Sequence, residues 1–216
     1  AADLCGVSKI YKFGGAHAIA ALALGTETIK PVDKIVGPGN IYVATAKKKV
    51  YGRVGIDSFA GPSEILIIAD QNANPELVTI DMFAQAEHDE LAQAILITSS
   101  KKLINSVSLK ISSLIRNQSR KKIIEKSLSM RGLFIKVKNT REIISIANQI
   151  APEHLEIFGY EKIKLETKID NAGAIFIGKN SPEVFGDYCA GPNHVLPTSG
   201  SAKYASPLGV YDFLKR

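Results

Sequence analysis

The run Ile65-Leu66-Ile67-Ile68-Ala69 is apolar without a break. A strand with one wet face alternates apolar and polar side chains, so an unbroken run needs cover on both faces. A parallel sheet with helices on each side provides it. Unbroken apolar runs recur at residues 94–97 and 174–177, a strand interrupted by Lys136 is read over 133–137, and residues 151–155 lead into 156–158. Helical patterns lie between them. Asn74 and Pro75 make a cap and a first helical position, followed by Leu77, Ile80 and Ala84 at helical spacing. A long basic stretch carries Leu103, Val107, Ile111, Leu114 and Ile115 on one side, and residues 142–150 are amphipathic. The βαβα succession predicts an α/β fold with largely parallel sheets.

The first 60 residues repeat the pattern on a smaller scale. Strands are expected at 10–13, 34–36 and 56–59, with helices over 16–24 and 41–50. The turns Gly14-Gly15 and Gly37-Pro38-Gly39-Asn40 each lead into a helix start. There, free backbone N–H groups and the helix dipole favour an anion, and two such turns suit the two phosphates of a dinucleotide. The full GxGxxG fingerprint is absent, so the pattern alone is weak. The expected architecture is two incomplete Rossmann-like α/β/α domains, 1–60 and 61–206. The Gly61-Pro62 step would cross between them and hold Ser63 at the crevice.

Composition narrows the classes. Hydrophobic residues are 45% of the 216, charged residues 22%. No apolar run approaches the ~20 residues that span a bilayer, and no signal-peptide pattern opens the chain. No membrane association is expected. Two cysteines, Cys5 and Cys189, make no disulfide framework, which suits a reducing, cytoplasmic setting. Part of the net charge of +6 lies in Arg116, Arg120, Lys121, Lys122 and Lys126. No aromatic residues interleave there for base stacking, so a solvated helix face is expected rather than a nucleic-acid site. Both ends read as cut, with Ala1 inside the tail of a helix and residues 212–216 stopping without a terminal signal.

The chemistry concentrates in three polar, turn-rich stretches. Three of the four histidines, His88, His154 and His194, lie in them, accompanied by Gln85, Glu153 and Asp187. Gln85 and His88 are three apart on a helical segment and share a face, with Glu87 and Asp89 beside them. The set offers ligands suited to Zn²⁺ or Mn²⁺ and a Glu–His pair for proton transfer. Loops around Asp187 and His194 are expected beyond the strand carboxyl ends, where α/β sheets place ligands.

Five motifs then carry a resemblance. Val36-Gly37-Pro38-Gly39-Asn40, Ala60-Gly61-Pro62-Ser63-Glu64, Gln85-Ala86-Glu87-His88, Ala151-Pro152-Glu153-His154-Leu155 and residues 190–198 stand in the order and spacing of the histidinol dehydrogenase family. The resemblance implies a homodimer that oxidises L-histidinol through the aldehyde to L-histidine with NAD⁺ and one Zn²⁺ per site. It makes Gln85, His88 and Asp187 zinc ligands, although the residues alone favour Glu87 over Gln85. Ser63 and His194 become substrate contacts, as do the three metal ligands and His154. Glu153 and His154 become the acid–base pair, and Asn40 and His17 cofactor contacts, with His17 standing where the family usually has glutamine. A further zinc-ligating histidine, lent across the dimer, and a substrate-binding glutamate belong to a C-terminal segment that residues 207–216 would begin. An N-terminal tyrosine that contacts NAD is likewise absent from this chain. The competing expectation is a non-catalytic metal- or nucleotide-binding α/β module. A cysteine-based mechanism at Cys189 ranks below both.

Overall fold

The computed structural model describes residues 1–160 and 163–215, and for Asp187 the backbone alone. The chain divides into two compact units, Ala1–Ala60 and Gly61–Arg216.

In the first unit, α1 (Gly15–Leu24) and α2 (Ile41–Val50) accompany two short strands, β1 (Lys34–Ile35) and β2 (Gly55–Ile56). The strands pair in parallel. Ile19, Ala23, Ile35 and Val54 form the core, with Leu22, Val32, Val43, Ala46 and Val50 packed on it. Helix α2 starts where Asn40 Oδ1 accepts from Tyr42 N–H and Val43 N–H at 3.1 and 3.2 Å, which satisfies two of the donors a helix start leaves over. The strand expected at 10–13 is not one. Ile10, Tyr11 and Phe13 are exposed, and without a pairing strand β-propensity has nothing to act on. The strand expected at 56–59 shrinks to Gly55–Ile56, and Ala1 begins turns rather than a helix tail.

The second unit carries the large sheet. Its elements run β3 (Glu64–Ala69), α3 (Pro75–Ala86), β4 (Gln93–Thr98), α4 (Lys101–Leu114), α5 (Lys121–Arg131), β5 (Leu133–Lys136), α6 (Thr140–Ile150), β6 (His154–Phe158), β7 (Ala174–Ile177) and α7 (Val184–Tyr188). The strand order is β5-β4-β3-β6-β7, and every pairing is parallel. The order reverses between β3 and β6, whose residues are all buried. Alternation then sorts their side chains. Leu66, Ile68, Leu155 and Ile157 join Ile143 and Ala147 of α6 on one face. Ile65, Ile67 and Phe158 join Val78, Met82, Leu103 and Val107 on the other. His154 and Glu156 alternate with Leu155 and Ile157, so they belong to the α3 face.

Two local expectations change. On α3 the spacing of Leu77, Ile80 and Ala84 marked the wrong stripe: Leu77 and Ile80 are exposed, while Val78, Thr79, Met82, Phe83, Gln85 and Ala86 are buried. The basic stretch is not one long helix. A 3₁₀ turn at Ile115–Asn117 separates α4 from α5, and Arg116, Arg120, Lys121, Lys122 and Lys126 are exposed.

Candidate active site

His154 is the first residue of β6, and its register partner is Ile65 at the start of β3. The 2% exposed ring is held at one nitrogen. Nδ1 lies 3.2 Å from the backbone oxygen of Glu64 and 3.2 Å from Gln85 Oε1. A carbonyl oxygen only accepts, so Nδ1 carries the proton and donates. That fixes the tautomer and leaves the lone pair on Nε2, which is buried and has no partner among the described residues. Burial pulls the His154 pKa down to about 4, helped by the charges of His194 and His88 and opposed by the bond to Glu64. At neutral pH the ring is therefore neutral, with Nε2 open as a proton acceptor.

The neighbours form a compact group. His194 stacks on His154 at a 5.9 Å centroid distance and 20° between planes, and Phe176 lies 6.2 Å away. Glu153 Oε2 is 3.9 Å from His154 Nδ1 and accepts from Glu64 N–H at 3.1 Å, so the adjacent Glu153 and His154 side chains are both tied to the start of β3. Gly173 packs against this segment. Its N–H bonds Pro152 O at 2.9 Å, and a Cβ there would stand 2.5 Å from Glu153 O. Only glycine allows the turn to come that close.

Gln85 sits in the last turn of α3 and is 1% exposed. Helix α3 ends at Ala86, and His88 follows in a turn, its N–H bonding Gln85 O at 3.3 Å. His88 is exposed, so the two residues are sequential in a tight turn rather than neighbours on one helical stripe. Glu87 is the C-cap of α3, and Asp89 Oδ1 accepts from Leu91 N–H at 2.8 Å; each is used locally. Ser63 precedes β3, is half-buried, and its backbone oxygen accepts from Gln93 N–H at 3.0 Å. Asp187 lies in α7, but its side chain is outside the described residues. Cys189 is exposed.

These groups gather at the amino ends of β3 and β6, not at the carboxyl ends the loops around Asp187 and His194 suggested. The reason is connectivity. A helix that crosses back over a parallel sheet delivers its C-terminal residues to the amino ends of the strands, and Gln85 and His88 lie at that end of α3. His194 reaches the same side by stacking on the first residue of β6.

Around Glu153, which the sequence did point to, stand three further buried carboxyls that it did not assign. Glu64, Glu156 and Glu183 are, like Glu153, all under 10% exposed. Glu156 Oε1 accepts from Glu183 N–H at 2.6 Å, while Oε2 meets no hydrogen-bond partner among the described residues. A carboxylate buried in this way is costly, which favours the protonated form. Burial and the Asp81 charge raise the Glu156 pKa, and burial raises that of Asp81. Burial also raises Glu64, against hydrogen bonds from backbone N–H groups and the Arg131 charge. Glu183 Oε1 is 3.6 Å from His154 Nδ1. One signal was available: Glu156 is two residues from His154 on a strand, hence on its face.

The donor set suits a borderline divalent cation in chemistry. Gln85 Oε1 has a second lone pair beyond the one His154 uses, and its Nε2 is buried without a partner among the described residues. No cluster of three His, Cys, Asp or Glu side chains stands ready for a metal among the described residues. In the other unit, His17 and Asn40 are exposed. Asn40 Oδ1 is committed to capping α2, so its Nδ2 is the group that can reach a ligand.

A Rossmann-like α/β protein with an imidazole–carboxylate site is the class that fold and geometry define. Within it, the chain belongs to the histidinol dehydrogenase family, whose model matches residues 1–216. It is 57% identical over 216 residues to histidinol dehydrogenase of Listeria monocytogenes, covering 100% of this chain and 51% of the relative. It is 55% identical to that of Hydrogenovibrio crunogenus, covering 100% and 50%. The crystal structure of histidinol dehydrogenase from Elizabethkingia anophelis matches with a TM-score of 0.94 at 40% identity, over 99% of this chain and 49% of that one. The chain spans about half the length of the relatives it matches.

Proposed function

We propose that this chain is the part of a histidinol dehydrogenase that carries its proton-transfer groups, in a homodimeric, cytoplasmic enzyme oxidising L-histidinol to L-histidine in two NAD⁺-dependent steps. The observation that carries the reading is the held tautomer of His154. Its Nδ1–H is donated to Glu64 O and Gln85 Oε1, and its Nε2 has no partner among the described residues. Family membership supplies the substrate class.

His154 Nε2 takes the hydroxyl proton as hydride leaves the alcohol carbon. Neutrality at working pH keeps it ready, and the bonds at Nδ1 hold the ring plane during the transfer. In the aldehyde step Glu153 takes the proton of the water that adds to the carbonyl. Both side chains meet at the start of β3, with Glu153 Oε2 3.9 Å from His154 Nδ1, so the pair stands close enough to serve one carbon in successive steps. Ser63 and His194 hold the substrate. Gln85, His88 and Asp187 would hold Zn²⁺, which when bound fixes the imidazole and amine of histidinol and so templates the reaction. Asn40 Nδ2 and His17 would contact NAD⁺, which when bound supplies the hydride acceptor for both oxidations.

The test is single-turnover kinetics in the full-length enzyme with histidinol and histidinal supplied separately. Glu153→Gln is expected to slow histidinal oxidation about 10²-fold or more while sparing the alcohol step, and His154→Asn to slow both. Equal losses on both steps for Glu153→Gln would sink the assignment of the water base.

A further inference from the structure

The first unit contains an ion pair buried more completely than most of its apolar side chains. The side chains of Lys47, on α2, and Asp57, just after β2, are 2% and 3% exposed and in direct contact. A buried pair of charges is a poor way to gain stability, because desolvation offsets much of the attraction and apolar side chains of similar volume often do as well. Its use here is explained by what else the two groups bind. Lys47 Nζ donates to Gly37 O at 3.0 Å. Asp57 Oδ2 accepts from Gly37 N–H at 2.7 Å, and Oδ1 from Ser58 N–H at 2.7 Å. The pair therefore grips both polar groups of one residue, Gly37.

Gly37 is the first residue of the Gly37-Pro38-Gly39-Asn40 turn, and its φ is +120°. Nothing lies within 4 Å of where a Cβ would stand, so conformation rather than space requires glycine. Such a residue is the most freely rotating in an unrestrained chain, and here it is pinned at N–H and C=O together. The far end of the turn is pinned separately by the Asn40 cap on α2. We propose that Lys47 and Asp57 are positioning residues that hold the Gly37–Asn40 turn in its cofactor-binding shape before the cofactor arrives. This rests on the reading of that turn as an NAD⁺ contact. A turn fixed beforehand spares binding the cost of ordering it.

The double variant Lys47→Met/Asp57→Leu removes both charges together and leaves neither stranded. Hydrogen exchange at the Gly37 and Ser58 amides reads the grip itself. Steady-state kinetics of the full-length enzyme read its consequence. Fast exchange of both amides in the variant, with KM for NAD⁺ raised roughly tenfold and kcat and KM for histidinol unchanged, is the expected result. A purely structural pair would lower the melting temperature without that KM-against-kcat split. Unchanged Gly37 exchange overturns the grip. Freed amides with an unchanged KM for NAD⁺ overturn the positioning role, provided Asn40→Ala raises that KM. If Asn40→Ala leaves it unchanged too, the cofactor reading of the turn is what fails. Should the double variant not fold, the isosteric Asp57→Asn, which presents an N–H to one of the two backbone donors, is read by the same two assays.

Discussion

Glu156 is a carboxyl group where a carboxylate is costly. It is 1% exposed, one oxygen takes Glu183 N–H, and the other meets no partner among the described residues. Burial and the Asp81 charge raise its pKa, so the folded protein keeps a proton there that the unfolded chain releases in the ordinary carboxylate range. The folded state then binds more protons than the unfolded one, and stability falls as pH rises above that range. The amide of Glu156→Gln is neutral like the protonated acid and still accepts from Glu183 N–H. Chemical denaturation from pH 5 to 9 is expected to show the parent losing stability by up to about 1.4 kcal/mol per pH unit. The variant is expected to lose distinctly less. Parallel slopes in parent and variant would place the proton elsewhere.

At the scale of elements, α3 shows how a helix can be legible while its orientation is not. Asn74 and Pro75 mark its start, and the structure begins it at Pro75. The buried stripe ran otherwise, because Thr79 and Gln85 face inward and Leu77 and Ile80 outward. Thr79 Oγ1 satisfies itself by donating to Pro75 O at 2.7 Å, and Gln85 Oε1 accepts from His154 Nδ1, so two polar side chains can face inward. Met82→Ala, at a site 1% exposed, is expected to cost about 2–5 kcal/mol. Leu77→Ala, 37% exposed, is expected to cost under about 1 kcal/mol. Urea denaturation of each variant decides, and similar costs would contradict the stripe. The parallel strands were more legible. The run over 65–69 sits in β3 and that over 174–177 is β7, since an unbroken apolar run has one home in such a fold. The weak strands of the first unit were not, because two-residue strands are made by neighbours rather than by propensity.

For the whole molecule, the residues of the candidate site could be picked out along the chain, but not the end of the sheet they occupy. Glu153, His154 and His194 stand in motifs, whereas their meeting with Glu64 and Gln85 depends on β6 lying beside β3. No local pattern encodes that neighbour. The same pairing predicts where the protein opens last. Leu66, Ile67 and Ile68 are fully buried, with β4 on one side and β6 on the other. Their amides are expected to exchange at the rate of global unfolding, as native-state hydrogen exchange can establish. Faster exchange there than in α4 would show the sheet centre to be separable from the rest.

The contact between Glu64 and His154 joins residues 90 apart in the chain. Closing a loop of that length costs about 4 kcal/mol of chain entropy, and nothing in the intervening β4 and β5 supplies the missing imidazole. During synthesis, β3, α3, β4 and β5 leave the ribosome well before β6. Gln85 and His88 are therefore exported early, but the nascent chain has no His154 to set beside them. The side chains of the candidate site come together only when β6 takes its place beside β3.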